Sequence, residues 1–283
     1  MVESISLSSR LKIMSILLVC GLLVFFSQIT FNDTIRSGWF IYIKLATIIV
    51  FLIFAIYRFR YKAFDHIGRI SYVFFTAALA MFLGLYLGKY ITSLVHLSQT
   101  SLRGFTLSKL SEDMIIIITI LLLIKISGGN RKSLYLTLGK LKLGLLIGVP
   151  IFLIVSFLAV LQSRLSNISP ELLIRLSPSI LLIVLADGFM EELLFRGLFL
   201  KPFSGVIGDR SSNILTAIIF ALAHIQITYI SEIILFLSVL FALGLLWGFI
   251  IQRTNSLLAS VLFHAGTDLL IIVPALDAYG ITI

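Results

Sequence analysis

The sequence predicts an all-α fold: a polytopic integral membrane bundle of eight or nine transmembrane helices. Three observations carry that reading. The 283 residues are 59% hydrophobic and 12% charged, with a mean hydropathy of +1.13, whereas soluble domains carry ~25% charged residues. The apolar runs are continuous over helix lengths rather than alternating, which disfavours a β-barrel. Basic residues also alternate between loops in the manner of a multi-pass chain.

Nine apolar segments follow in order, near 12–31, 39–57, 70–88, 113–127, 143–162, 178–200, 211–227, 231–252 and 256–275. Arg10 and Lys12 precede the first, and no small-residue cleavage site closes it, so it is expected to be an uncleaved span. The fourth is the shortest and carries Lys125 near its end. With the N-terminus in the cytoplasm, the inner loops hold fourteen Lys and Arg, among them Arg69, Arg131, Lys132 and Lys201, against six outside. This asymmetry predicts nine spans, a cytoplasmic N-terminus and an external C-terminus, as in a bacterial plasma membrane. Two connections stand out. Residues 89–111 are mixed and amphipathic, and are expected to lie along the outer interface. Ser127–Lys142 is basic, begins with turn residues, and is expected against the cytoplasmic headgroups.

The net charge of +9 comes with no basic block or aromatic-basic platform, so lipid is the expected partner and nucleic acid is not. Cys20 is the single cysteine, so no internal disulfide framework exists. Residues 1–112 form the N-terminal helices, and 113–283 carry the candidate chemistry within one continuous domain.

That chemistry centres on Asp187–Leu200, DGFMEELLFRGLFL. An ionisable side chain at mid-bilayer costs roughly 2.5–3.5 kcal/mol on insertion scales, and by default marks a functional site. On an α-helix Glu192 and Arg196, four apart, would pair on one face, while Glu191 points about 100° away. The pair is expected to support the helix and Glu191 to be the reactive carboxylate. Asp187, one turn before Glu191, is assigned a supporting role. Downstream spans carry His224, four residues after Phe220, and His264, four residues before Asp268. Counted from the nearest cytoplasmic Lys or Arg, Glu191, His224 and His264 lie about 15, 21 and 17 Å deep, all near the midplane of a core ~30 Å thick. Three helices thus bring a carboxylate and two imidazoles to one depth.

EELLFR (191–196), FALAH (220–224) and HAGTD (264–268) resemble, in order and spacing, the EExxxR, FxxxH and HxxxN/D motifs of the CPBP family, the type II CAAX prenyl proteases and bacteriocin-processing proteins. The resemblance covers about 178–270 strongly and leaves 1–125 uncovered. It implies an intramembrane endopeptidase in which Glu191 activates water with help from His224, Glu192 and Arg196 hold the architecture, and His264 with Asp268 stabilises the oxyanion. A carboxylate in a low-dielectric cavity is a useful base near neutral pH, and an imidazole can donate to an oxyanion where water is scarce. The prenyl-protease branch usually has Asn where this chain has Asp268, which leaves three readings open: a protonated donor, an orienter of His264, or a metal ligand. Glu191, His224, His264 and Asp268 would be acceptable zinc ligands; metal-free catalysis is favoured. The expected substrate is a membrane-associated peptide or the tail of a membrane protein. The competing class is a non-proteolytic membrane partner that confers bacteriocin self-immunity or modulates a sensor.

Overall fold

The computed structural model describes residues 6–28, 39–60, 65–98, 100–165, 170–227 and 231–278. Its ordered elements there are all helical: α1 (Leu7–Gln28), α2 (Phe40–Arg60), α3 (Asp65–Leu94), α4 (Leu102–Ile126), a 3₁₀ turn (Arg131–Leu134), α5 (Leu141–Leu165), α6 (Pro170–Glu191), a π-helical segment (Glu192–Leu200), α7 (Lys201–Ile207), α8 (Asp209–Ala223), α9 (Ile233–Thr254) and α10 (Leu258–Ala278). A long helical segment falls at each of the nine expected apolar runs. Among the described residues, five helical stretches are long and apolar enough to cross a membrane: Leu7–Gln28, Phe40–Tyr57, Gly68–Leu94, Leu141–Gln162 and Ile233–Thr254, with a shorter apolar helix at Leu258–Ile272.

Two boundaries differ from expectation. The stretch 89–111 is helix at both ends, because α3 runs to Leu94 and α4 starts at Leu102. Lys109, a charge of that expected connection, pairs with Asp113 along α4 at 3.3 Å. The expected seventh span, 211–227, ends early: α8 stops at Ala223 and His224 takes the C-cap position with φ −93° and ψ 5°. At 15 residues and 1.5 Å of rise each, α8 is about 22 Å long, short of a ~30 Å core.

The chain divides into two compact units, each drawing on segments from before and after residue 112. The first comprises Met1–Phe82, Thr119–Leu134 and Leu194–Phe249. Its interior is aromatic: Phe25 stacks on Phe195 at 4.5 Å, Phe74 meets Phe199 at 5.3 Å, and Phe220 meets Trp247 edge-on at 5.5 Å. Gly244 and Gly248 on α9, spaced for close helix contact, face α8. A Cβ at Gly244 would lie 3.2 Å from that of Ala217, and one at Gly248 would collide with Asn213. Lys44 is fully buried on α2; its ammonium donates to the carbonyl of Gln28, one of the carbonyls that the end of α1 leaves unpaired.

The second unit comprises Leu83–Ile118, Tyr135–Leu193 and Ile250–Ile283. Leu176, Ile180, Ile183 and Val184 of α6 pack with Ala265 and Ile272 of α10. The turn before α10 is clamped to the chain before α5, since Lys140 N–H donates to the Thr254 carbonyl at 2.7 Å and Leu257 N–H to that of Tyr135 at 3.2 Å. At Gly188 an added Cβ would stand 3.2 Å from the Ala265 nitrogen. Glycine at this place lets α6 approach α10 backbone to backbone, one turn before the paired glutamates and beside His264.

Candidate active site

His264 is the hub of the second unit's polar residues. It is 3% exposed, while Glu192 and Ser260 are fully buried. Glu192 Oε1 accepts from His264 Nδ1 at 2.9 Å, and Ser260 Oγ donates to Glu192 Oε2 at 2.8 Å. The other ring nitrogen, Nε2, lies 3.4 Å from Glu191 Oε2 and 3.6 Å from Asp268 Oδ1. Those two carboxylates are the more open ones, their side chains 17% and 18% exposed. Ser260, His264 and Asp268 succeed one another at four-residue intervals and so share one face of α10.

The proton inventory follows from these contacts. An ionised Glu192 only accepts, so Nδ1 of His264 carries a hydrogen. A neutral ring would then turn a bare lone pair toward two carboxylates. One further proton is required among Nε2, Glu191 and Asp268 for any of these contacts to be attractive. The cluster therefore has one nitrogen locked by a buried carboxylate and at least one exchangeable proton on its more open side.

Glu192–Leu200 is a π-helix, with i→i+5 backbone bonding. Within the first unit, the fully buried Arg196 guanidinium lies 4.3 Å from the Phe220 ring centroid and 5.2 Å from that of Trp247, a cation–π enclosure. Arg196 and Phe220, both expected in a supporting role, are thus in contact with each other. In that same unit the Nδ1 of His224 lies 2.8 Å from the Phe220 carbonyl. A carbonyl only accepts, so Nδ1 bears the hydrogen of this contact. The structure thus gathers Glu191, Glu192, His264 and Asp268 within the second unit and describes His224 within the first.

A second polar group adjoins on α6. Lys109 Nζ bonds Asp187 Oδ1 at 2.7 Å and Asp113 Oδ1 at 3.3 Å, and Asp113 is fully buried. Asp187, expected in a supporting role, makes this ion pair. Lys109 and Asp113 escaped the sequence reading, because hydropathy expelled Lys109 to a loop. Ser260 was missed too, although its spacing from His264 was a usable signal. Among the described residues no three His, Cys, Asp or Glu side chains are arranged to hold a metal ion. Of the suggested zinc set, Glu191, His264 and Asp268 lie in the second unit and His224 in the first.

Comparison with known proteins agrees with the motifs. Residues 173–270, about a third of the chain, match the family model described as type II CAAX prenyl endopeptidase, Rce1-like. The resemblance to CAAX-type membrane proteases is thus shown for the segment that holds Glu191, Glu192, His224, His264 and Asp268. No curated protein and no solved structure matches the chain.

Proposed function

We propose that this chain is a multi-pass intramembrane endopeptidase that hydrolyses a peptide bond in a membrane-associated peptide or protein. The observation that carries the reading is the double engagement of His264, with Glu192 on Nδ1 and the Glu191–Asp268 side on Nε2. The membrane setting is supported by helices that turn large apolar side chains outward, such as Leu146 and Phe157 of α5, 73% and 68% exposed, which a lipid environment would cover.

In this reading Glu191 takes a proton from water as the oxygen attacks the scissile carbonyl carbon. The C=O π bond opens and its electron pair becomes the oxyanion. His264 Nε2–H, aligned by the Glu192 carboxylate and Ser260, donates to that oxyanion, the preorganised donor such a transition state needs. Asp268 in its protonated form adds a second donor. As the C–N bond breaks, Glu191 returns its proton to the leaving amine. His224 keeps the role implied by the resemblance, assisting the base through Nε2. The N-terminus lies in the cytoplasm, following the charge asymmetry.

The test compares membrane-protein termini, by mass spectrometry, in cells producing the wild type or Glu191→Gln at equal abundance. New termini that depend on Glu191 are expected. Identical terminus sets, with the cellular phenotype preserved in Glu191→Gln, would overturn the enzymatic reading in favour of a non-proteolytic partner.

A further inference from the structure

The first unit contains a cavity of about 510 Å³ that takes no part in the chemistry above. Three short stretches wall it: the start of α3 (Arg69, Tyr72, Val73), the turn after α4 (Ser127–Gly129 and Ser133), and α7 with the residues before it (Leu198, Lys201, Gly205). Arg69 and Lys201 are exposed, and none of the described lining residues is acidic. Lys201 Nζ donates to the Lys132 carbonyl at 3.0 Å, which holds the ammonium against the turn that also carries Arg131. The rest of the wall is largely apolar, through Ile70, Val73, Ile124, Leu134 and Leu198. The loop-by-loop charge count, made without reference to this cavity, places Arg69, Arg131, Lys132 and Lys201 on the same cytoplasmic side. Cations beside an apolar wall, at the depth of the inner headgroups, match an amphiphile better than a free ion.

We infer that this cavity binds the phosphate of an anionic phospholipid headgroup, with Arg69 and Lys201 as the charge partners and the apolar wall along the first carbons of the chain. The inference uses the membrane embedding but not the protease chemistry, so a chain with no peptidase activity that still bound lipid would leave it standing.

The test uses the full chain in detergent micelles and reads lipid retention by native mass spectrometry, offering phosphatidylglycerol or phosphatidylcholine. The wild type should retain phosphatidylglycerol selectively. A cation near the headgroups contributes about fivefold in affinity, so Arg69→Gln with Lys201→Gln should weaken retention by about 30-fold. Because Lys201→Gln also removes the bond to Lys132, Gly205→Leu serves as an independent variant. Gly205 lines the cavity, and an added Cβ meets no atom within 4 Å, so Leu there should fill the space with both charges intact and the thermal midpoint unchanged. Inorganic phosphate that displaces the lipid would support the site with the phosphate alone as the recognised group; failure to displace it would support the site with the acyl portion required. Equal retention of the two lipids, or undiminished retention in both variants, would overturn the inference.

Discussion

Glu192 offers the sharpest test of the site, because its two carboxylate oxygens are each engaged in a fully buried setting. Truncation by Glu192→Ala leaves Ser260 Oγ and His264 Nδ1 without the acceptor they reach at 2.8 and 2.9 Å. Two hydrogen bonds to an ionised acceptor, at about 1.5–3 kcal/mol each, give about 3–6 kcal/mol. Breaking one partner out of a buried ion pair costs about 3–5 kcal/mol. Neutral hydrogen bonds between membrane helices average only ~0.6 kcal/mol, so two of them would total about 1 kcal/mol. The magnitudes separate the cases: a loss above about 3 kcal/mol means that Glu192 is ionised and His264 leans on its charge. Glu192→Gln refines this. The amide oxygen can accept from Nδ1–H and the amide nitrogen can donate to the serine oxygen, so both bonds survive without the charge. Glu192→Gln should fold within about 2 kcal/mol of the wild type yet lose most activity, because the doubly protonated His264 that donates to the oxyanion loses its counter-charge. Reversible denaturation in mixed micelles gives the first quantity, and cleavage of a Glu191-dependent substrate gives the second. A Glu192→Ala protein as stable as the wild type, or a fully active Glu192→Gln, would refute the assignment of Glu192 as the residue that positions His264.

Three further outcomes are expected. Asp268→Asn, which places an N–H where a protonated carboxyl would donate, should keep much of the activity, and chelators should leave the wild type unaffected. An inactive Asn variant alongside a chelator-sensitive wild type would refute the metal-free reading. Gly188→Ala needs Ala265 to yield by only a few tenths of an ångström from a 3.2 Å approach, so it should stay active. Gly188→Leu should cost about 1–3 kcal/mol by overpacking and silence cleavage as α6 is pushed from α10. Lys109→Met strands the buried Asp113 beside Asp187 and should lower stability by about 3–5 kcal/mol. Adding Asp113→Asn and Asp187→Asn to it should restore the unfolding midpoint.

Much of the fold was legible because apolar runs of helix length are local signals. A helix falls at each of the nine runs, and the three motifs located the site segment that the family comparison also matches. Where the reading failed, charge was the cause. Lys109 looked like a loop residue because hydropathy weighs each charge alone, whereas on α4 it pairs with Asp113 and with Asp187 of α6. The end of α8 at Ala223 was hidden for the opposite reason. Residues up to 227 remain apolar enough to continue a helix, and neither a glycine nor a proline marks the stop. The bond between Glu192 and His264 spans 72 residues of chain, and no local pattern encodes it.

The π-helix explains why two adjacent glutamates can serve one histidine. On a helix, neighbours diverge by about 100°, which argued for separate fates, one carboxylate structural and one reactive. The divergence instead sends them to opposite sides of a single imidazole, Glu192 to Nδ1 and Glu191 to Nε2. Gly188 brings the two backbones close enough for short acidic side chains to reach that ring. Arg196 lies within the π-helix that follows α6, and its guanidinium lies over Phe220 and Trp247. The EExxxR motif carries a two-sided grip on a histidine and, further along the π-helix, a cation enclosed by aromatic rings.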